Sequence, residues 1–328
     1  MSDPIRIGIV GYGNLGRGVE LALAQNPDMS LVGVFTRREP DTVKLVSPDI
    51  PTYKMDDIEQ YQDQIDVLIL CGGSKDDLPK QGPELARWFS TVDSFDTHAK
   101  IPDYYAAVDA VARDAENTSI IAVGWDPGLF SLNRLAGEIV LPEGDTYTFW
   151  GKGLSQGHSD AVRRVEGVKA GVQYTLPVQE AIDSVRKGES PQLSTREKHR
   201  RECYVVLEQG ASEDAVRNAI VTMPDYFADY DTTVYFITED QLKAEHSTMP
   251  HGGFVIRSGR SGAGSNQVIE YSLTLASNPE FTSSVLVAYA RAAYRLKAKG
   301  RYGAKTVFDV APGLLSPKSA AQLRKELL

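Results

Sequence analysis

Ile5-Arg6-Ile7-Gly8-Ile9-Val10 runs straight into Gly11-Tyr12-Gly13-Asn14-Leu15-Gly16, and the reading of this stretch decides the fold. The first six residues are almost continuously apolar, as expected of a parallel strand covered on both faces. The next six form a GxGxxG turn, and Leu15–Ala24 then carries helical spacing. A glycine turn alone is weak evidence. Placed between the first strand and the first helix of an α/β domain, it is the fingerprint of a dinucleotide site. Gly11 permits the tight turn, Gly13 lets a pyrophosphate reach the backbone, and Gly16 allows close helix–strand packing. The helix that follows offers N–H groups and a partial positive charge to the phosphates.

Working outward, apolar runs at Leu31–Phe35, Val67–Leu70, Thr91–Val92 and Ile120–Val123 predict further buried strands. Helical stretches at Leu78–Phe89 and Tyr104–Ala115 lie between them, and Arg38–Gln64 is expected to hold a short strand and helix. This alternation predicts a doubly wound parallel sheet of Rossmann type over 1–125. Gly124-Trp125-Asp126-Pro127-Gly128 interrupts the pattern. Beyond it, β-branched and aromatic residues mark strands at Tyr147–Gly151, Val168–Leu176, Glu202–Leu207, Thr232–Ile237, Gly252–Ser258 and Val268–Leu275. Helices are expected at Pro177–Lys187 and Glu213–Val221. We therefore expect a second, α+β domain with a mixed sheet over 126–282, serving substrate binding and dimerisation. The helical tail from Ser283 should pack back on the first domain, so that 283–328 completes it.

The end of the second strand bears on cofactor choice. Enzymes that use NAD place an Asp or Glu there to accept from the ribose 2′-hydroxyl. Here Phe35 is followed by Thr36-Arg37-Arg38, with no carboxylate before Glu39. A hydroxyl and two guanidiniums suit a 2′-phosphate instead, which predicts NADP. The plainer alternative is a solvated pair of loop arginines.

The chain has 328 residues and a formal net charge of −9, with 42% hydrophobic and 24% charged residues. Such a length suits two domains, and the composition is that of a globular protein. The negative balance argues against nucleic acid or anionic membrane as partner. No apolar run approaches the roughly 20 residues of a membrane span, and no signal peptide is evident at the N-terminus. The cysteines, Cys71 and Cys203, form no CxxC pair and read as core residues in a reducing cytoplasm. The five histidines form no ligand-spaced set with them, so no metal is expected.

GYGNLGRGVE at 11–20, Thr36-Arg37-Arg38, VDSFDTH at 92–98, GWDPGLFSLNR at 124–134, FWGKGLSQGHSDAVRR at 149–164, QYTLP at 173–177, MPDYF at 223–227, MPHGG at 249–253 and NPEF at 278–281 together resemble the meso-diaminopimelate dehydrogenase family. The likeness spans nearly the whole chain, and the GWDPG and WGxGLSQGHSD blocks are highly specific to that family. It implies a homodimer, NADP as cofactor, and reversible oxidative deamination of the D-centre of meso-diaminopimelate to L-2-amino-6-oxopimelate and ammonia, in lysine and cell-wall precursor synthesis. By the same resemblance, Tyr12, Gly13, Asn14 and Leu15 match pyrophosphate contacts, and Thr36, Arg37 and Arg38 match 2′-phosphate contacts. Cys71, Gly72, Gly73 and Ser74 follow the strand over which the cofactor lies. Ser94, Phe95 and Asp96, with Val123, Gly124, Trp125, Asp126 and Pro127, would border the nicotinamide. Asp96, Asp126, Trp150, Gln156, Gly157, Thr175, Arg201, His251 and Asn278 match substrate positions. One departure is Gly72, where the pattern leads us to expect a bulkier residue.

The residues themselves agree with this chemistry in part. Asp96 and Asp126 follow strand ends of the sheet, where a cofactor crevice opens. Either could bind the substrate ammonium, accept its proton or hold the hydrolytic water; either could also merely shape a turn. Arg201, His251 and Thr175 could form a carboxylate clamp, although Glu197-Lys198-His199-Arg200-Arg201-Glu202 also reads as a solvated charge run. Two other functions remain open on sequence: a related NADP-dependent reductase of a cyclic imine or semialdehyde, which would need no ammonia, and a non-catalytic NADP-binding sensor.

Overall fold

In the computed structural model, which describes residues 3–328, β1 (Ile5–Val10) is buried along its length except at Arg6. Isoleucines at 7 and 9 are fully enclosed, each contributing about 1.5–3 kcal/mol through burial. The first part of the chain continues as α1 (Asn14–Leu23), β2 (Met29–Thr36), β3 (Thr52–Lys54), β4 (Val67–Leu70), α2 (Leu78–Leu85), β5 (Ser90–Asp93), α3 (Ile101–Asp114), β6 (Thr118–Ile120) and α4 (Leu129–Val140). Then follow β7 (Glu143–Trp150), β8 (Gly153–Leu154), α5 (Gln156–Arg163), β9 (Val168–Pro177), α6 (Gln179–Arg186), α7 (Thr195–Lys198), β10 (His199–Leu207), α8 (Glu213–Val221), β11 (Asp231–Phe236) and α9 (Glu239–Glu245). The chain ends with β12 (His251–Arg260), β13 (Asn266–Leu275), α10 (Asn278–Lys297), β14 (Gly303–Lys305) and α11 (Ala320–Leu327).

Two units result: one runs to Leu132 and includes Pro279–Leu328, the other is Asn133–Asn278. In the first, seven parallel strands pair in the order β14-β6-β5-β4-β1-β2-β3. The chain winds from β1 outward to β3, then returns beside β1 and winds the other way. Ligands of such sheets bind at the carboxyl ends of the strands flanking that reversal, here β1 and β4. One face is covered by residues of α1 and α10, among them Val19, Leu23, Leu286, Ala290 and Ala293. The other packs Leu85, Val108 and Ala112 of α2 and α3 against Phe35, Leu68 and Leu70. The tail is fastened by Arg291 of α10, which is buried and donates from Nε to Asp28 at 2.6 Å and from Nη1 to Leu315 O at 2.7 Å.

The α/β character and most elements follow the sequence expectation, with instructive shifts. The strand expected to reach Val123 ends at Ile120, because Ala122 adopts a left-handed φ of 56°. Helix α2 stops at Leu85, short of the expected Phe89. Strand β14 adds an edge that the sequence did not announce.

In the second unit the expected strands divide between two sheets. The order β11-β10-β9-β8 is mixed, with β10 parallel to β11 and antiparallel to β9. The order β13-β12-β7 is antiparallel throughout. Each has its own core. Cys203 and Val205 of β10 meet Val162 of α5 and Val216 and Ile220 of α8, while Tyr147, Phe149 and Ile256 meet Ala181, Ile182 and Val185 of α6.

Candidate active site

The glycine turn lies where the sheet reverses. Gly11 has a φ of 87°, and its N–H donates to Phe35 O at 2.8 Å. Cys71 N–H donates to Val10 O at 2.8 Å, so the loops after β1, β2 and β4 are joined at their roots. Gly13 caps α1 and brings no side-chain acceptor to the first turn. Beyond its own turn, no atom of the described residues lies within 4 Å of where its Cβ would be, which leaves room for a phosphate against the backbone. Gly16 serves packing: a Cβ there would stand 2.3 Å from Gly11 O. Asn14 is exposed and Leu15 half-buried at the helix start.

Tyr12 presents its backbone, because its phenol donates to the buried Glu20 carboxylate. Glu20 also accepts from Val46 N–H at 3.1 Å and Ser47 N–H at 2.6 Å. Burial works against its charge, but these bonds hold the Glu20 carboxyl below its ordinary range. Burial, with the bond to Glu20, pushes the Tyr12 phenol up to about 12. At the end of β2, the buried Thr36 accepts from Arg38 N–H at 3.1 Å, and Arg38 Nη2 donates to Tyr12 O at 2.6 Å. The exposed Arg37 pairs with Asp77 at 2.8 Å. Asp77 also accepts from Gly73 N–H at 2.9 Å. Gly72 is explained by this: a Cβ would come within 2.7 Å of Asp77 and Gln81, so a larger residue does not fit beside them.

The loops after β5 and β6 carry the two candidate aspartates. Asp96 is exposed, and its N–H donates to Ser74 Oγ at 3.1 Å. Beside it Ser94 is half-buried, while Phe95 is buried and stacks on Tyr104 with ring centroids 4.2 Å apart, so Phe95 offers only its backbone to a ligand. Val123 and Trp125 are also buried, the indole edge-on to Phe130 at 5.2 Å. Asp126 and Pro127 are half-buried in a turn fixed by Leu129 N–H to Gly124 O at 3.0 Å. Gly128 is obligatory there, since a Cβ would fall 1.8 Å from Gly124 O.

The second unit assembles the remaining candidates on β7, α5, β9, β10 and β12. The β9–β10 register sets Arg201 opposite Thr175, and Arg201 Nη1 donates to Thr175 Oγ1. Both residues are buried. The guanidinium lies 4.0 Å over the Tyr230 ring, and its Nε has no hydrogen-bond partner among the described residues. Burial lowers the Arg201 pKa, and among the described residues no carboxylate pairs with it. A buried, uncompensated cation is costly, and it marks a place for an anion.

Trp150 ends β7, and its N–H donates to His199 Nε2 at 2.8 Å with the two rings stacked at 5.1 Å. Burial, reinforced by Arg201 and Lys198, brings His199 down to about 3, so the imidazole is neutral and can accept. Gln156 opens α5 after the Ser155 cap, and Gly157 is exposed in its first turn. Gln156 Nε2 donates to Met249 Sδ at 3.2 Å, and Asn278 N–H donates to Met249 O at 3.0 Å. His251 begins β12 over Gly153, where a Cβ would lie 2.4 Å from His251 Nδ1. His158 bonds Ser155 Oγ through Nδ1 at 2.8 Å, and burial lowers it to about 4. The sequence reading missed His199, Met249 and the buried Gln173, whose Oε1 is unpartnered. Strand alternation was the available signal, because His199 and Arg201 face inward while Arg200 faces out.

With this geometry in place, the chain can be compared with known proteins. A family model described as the diaminopimelic acid dehydrogenase C-terminal domain matches residues 124–277. The meso-diaminopimelate D-dehydrogenase of Lysinibacillus sphaericus is 68% identical over 324 residues, covering 99% of each chain. The chain belongs to the diaminopimelate dehydrogenase family. Among solved structures, the diaminopimelate dehydrogenase of C. glutamicum in complex with DAP is 46% identical, with a TM-score of 0.92 and 100% of both chains covered. An engineered D-amino acid dehydrogenase bound to NADP+ is 44% identical, with a TM-score of 0.86, covering 99% of this chain and 100% of that one. Diaminopimelate dehydrogenases thus share both units of this fold.

Proposed function

We propose that this protein is an NADP-dependent dehydrogenase that oxidatively deaminates the D-centre of meso-diaminopimelate to L-2-amino-6-oxopimelate and ammonia. The buried Arg201, paired with Thr175 and lacking an anionic partner among the described residues, carries the reading, since it suits a substrate carboxylate. Family membership supports the reaction, and the open space at Gly13 with the Thr36-Arg37-Arg38 cluster supports the cofactor.

Bound NADP would supply the acceptor for the hydride of the substrate Cα. Backbone N–H groups at the start of α1 would hold its pyrophosphate, and Thr36, Arg37 and Arg38 its 2′-phosphate. Asp96 and Asp126 would bind the reacting ammonium, take its proton onto a carboxylate oxygen and hold the water that hydrolyses the imine. Arg201, Thr175 and His251 would hold a carboxylate of the amino-acid group that does not react. Trp150 would form an apolar wall kept in place by His199. In the reductive direction, NADPH consumption with L-2-amino-6-oxopimelate should require ammonium. Consumption without ammonium would point to a simple carbonyl or imine reductase and overturn the reading.

Cofactor choice can be tested separately. Charge-assisted hydrogen bonds contribute about 1.5–3 kcal/mol each but much less where solvent screens them, as at the exposed Arg37, so replacing Arg37 and Arg38 together by alanine should raise the KM for NADP by about 10- to 100-fold. NAD use should change little. Equal losses for both cofactors would show that the arginines serve the fold.

The second unit is also proposed to form a homodimer. Leu135, Ile139 and Val140 of α4 are exposed, as are Val268 and Ile269 of β13. Arg257 of β12 donates to Leu141 O at 3.0 Å just past α4, and its register partner is Ile269, which puts Ile269 on the face that α4 occupies. Two-fold pairing of such a surface is the commonest way to cover it. Light scattering should give about twice the 35.9 kDa chain mass; a monomer at micromolar concentration would remove this claim. No helix among the described residues is long and apolar enough to cross a membrane, and the use of NADP in amino-acid synthesis fits a cytoplasmic enzyme.

A further inference from the structure

We propose that Asp93 is a positioning residue for this reaction, its buried carboxylate holding in fixed relation the two loops that bear Asp96 and Asp126. Asp93 ends β5 and is fully enclosed. Its Oδ1 accepts from Phe95 N–H at 2.9 Å, in the loop that leads to Asp96, and from Ala122 N–H at 3.2 Å, in the loop that leads to Asp126. Its Oδ2 accepts from the Tyr104 hydroxyl of α3 at 2.7 Å, and its own carbonyl accepts from Val123 N–H at 2.9 Å. One residue therefore joins three segments, and the two loops are tied to the same side chain one residue before Asp96 and four residues before Asp126.

Two features show that this is more than ordinary packing. Ala122 sits at a φ of 56°, a conformation that L-residues rarely adopt and that persists only where neighbours over-determine it; the bond to Asp93 does so. The fold also retains a fully buried acid, where burial pushes Asp93 up to about 6 against the opposing bonds from Tyr104, Phe95 and Ala122. Cores keep such groups at a cost in stability, commonly where geometry matters to function. Tyr104 is held in turn by stacking on Phe95, so acid, phenol and ring lock one another.

This inference rests on the dehydrogenase reading for its kinetic consequence, so its test has an arm that does not. Asp93→Asn keeps the shape and one acceptor but cannot accept from the Tyr104 hydroxyl in the same way; Tyr104→Phe removes the phenol alone. In the full-length protein without cofactor, hydrogen exchange should quicken at the amides of Phe95, Ala122 and Val123 and stay unchanged at Gly11 and Cys71. With NADP and meso-diaminopimelate, kcat should fall by about 10- to 100-fold in Asp93→Asn, as expected for a small misplacement of reacting groups, and less in Tyr104→Phe. The Kd for NADP should remain within about twofold, because the phosphate cradle does not depend on this lock. Unchanged kcat in both variants, or losses of kcat and NADP affinity in equal measure with exchange raised throughout the sheet, would overturn the proposal. A wild-type protein inactive on meso-diaminopimelate would overturn the function instead, and the exchange pattern would still judge the lock.

Discussion

Replacing Arg201 by alanine should lower kcat/KM for meso-diaminopimelate by about a thousandfold while leaving the Kd for NADP within about twofold. Truncating one partner of a buried, hydrogen-bonded charge pair costs about 2–5 kcal/mol or more, because the other charge is left desolvated and alone; about 4 kcal/mol, in the upper half of that range, corresponds to the stated factor. On the proposed role of Arg201, the other charge is the substrate carboxylate. Arg201→Lys should recover only part of the loss, since an ammonium cannot reproduce the planar fork or lie over Tyr230 as the guanidinium does. The same variant makes a second, opposite-signed demand. Within the protein Arg201 donates to Thr175 and faces Tyr230, but its Nε is unpartnered. Its desolvation is therefore offset mainly when ligand is bound, and Arg201→Ala should melt no lower than wild type. A thermal scan showing a large drop in Tm, or assays in which NADP affinity falls as far as substrate use, would assign Arg201 to the fold.

The degree to which sequence announced this site depends on which physical signal each residue carries. The stretch from Ile5 to Gly16 was legible because strand, glycine turn and helix are all local, and each constrains the next. Val67–Leu70 and Glu213–Val221 were found with their boundaries intact for the same reason. Strand β14 was invisible because three residues, Gly303–Lys305, are too few to show a period, and their pairing with Thr118–Ile120 is purely long-range. The division of the second unit into two sheets was also hidden. Alternation marks a strand but not its neighbour, and nothing local says that β7 pairs with β12 rather than with β9. Arg201 lay in a charge run that resembles a solvated surface, and family resemblance rather than spacing singled it out. Its structural meaning comes from strand period: β10 turns His199, Arg201 and Cys203 inward together. Asp93 lies just past the strand expected at Thr91–Val92, and only the enclosed carboxylate with its bonds from Tyr104, Phe95 and Ala122 separates it from a surface acid.

The largest effect expected is stereochemical: the LL isomer of diaminopimelate should be oxidised at least about ten-thousandfold less efficiently than the meso form. Meso-diaminopimelate carries one L and one D amino-acid group, and each of the other isomers carries two alike. The proposed clamp of Arg201, Thr175 and His251 would present a guanidinium, a hydroxyl and an imidazole, a set of unlike donors able to distinguish the two hands of an amino-acid group. If it accepts the L-group, the D-group is the one left to meet Asp96 and Asp126. In the LL isomer the clamp is satisfied, but the reacting centre then turns its hydrogen away whenever its amine and carboxylate reach their partners. Either the hydride is misdirected or the desolvated polar groups stay unpaired, and sites built on hydrogen bonds discriminate against such mismatches by about 10⁴ or more. The DD isomer tests the other half of the argument. Its reacting centre is correct and its clamped centre is not, so it should lose affinity more than turnover. Initial rates of NADPH formation with separately prepared LL, DD and meso substrates give all three values. Equal rates for LL and meso would show that the clamp does not choose the end that reacts, and the assignment of Arg201, Thr175 and His251 to the unreactive amino-acid group would fall with it.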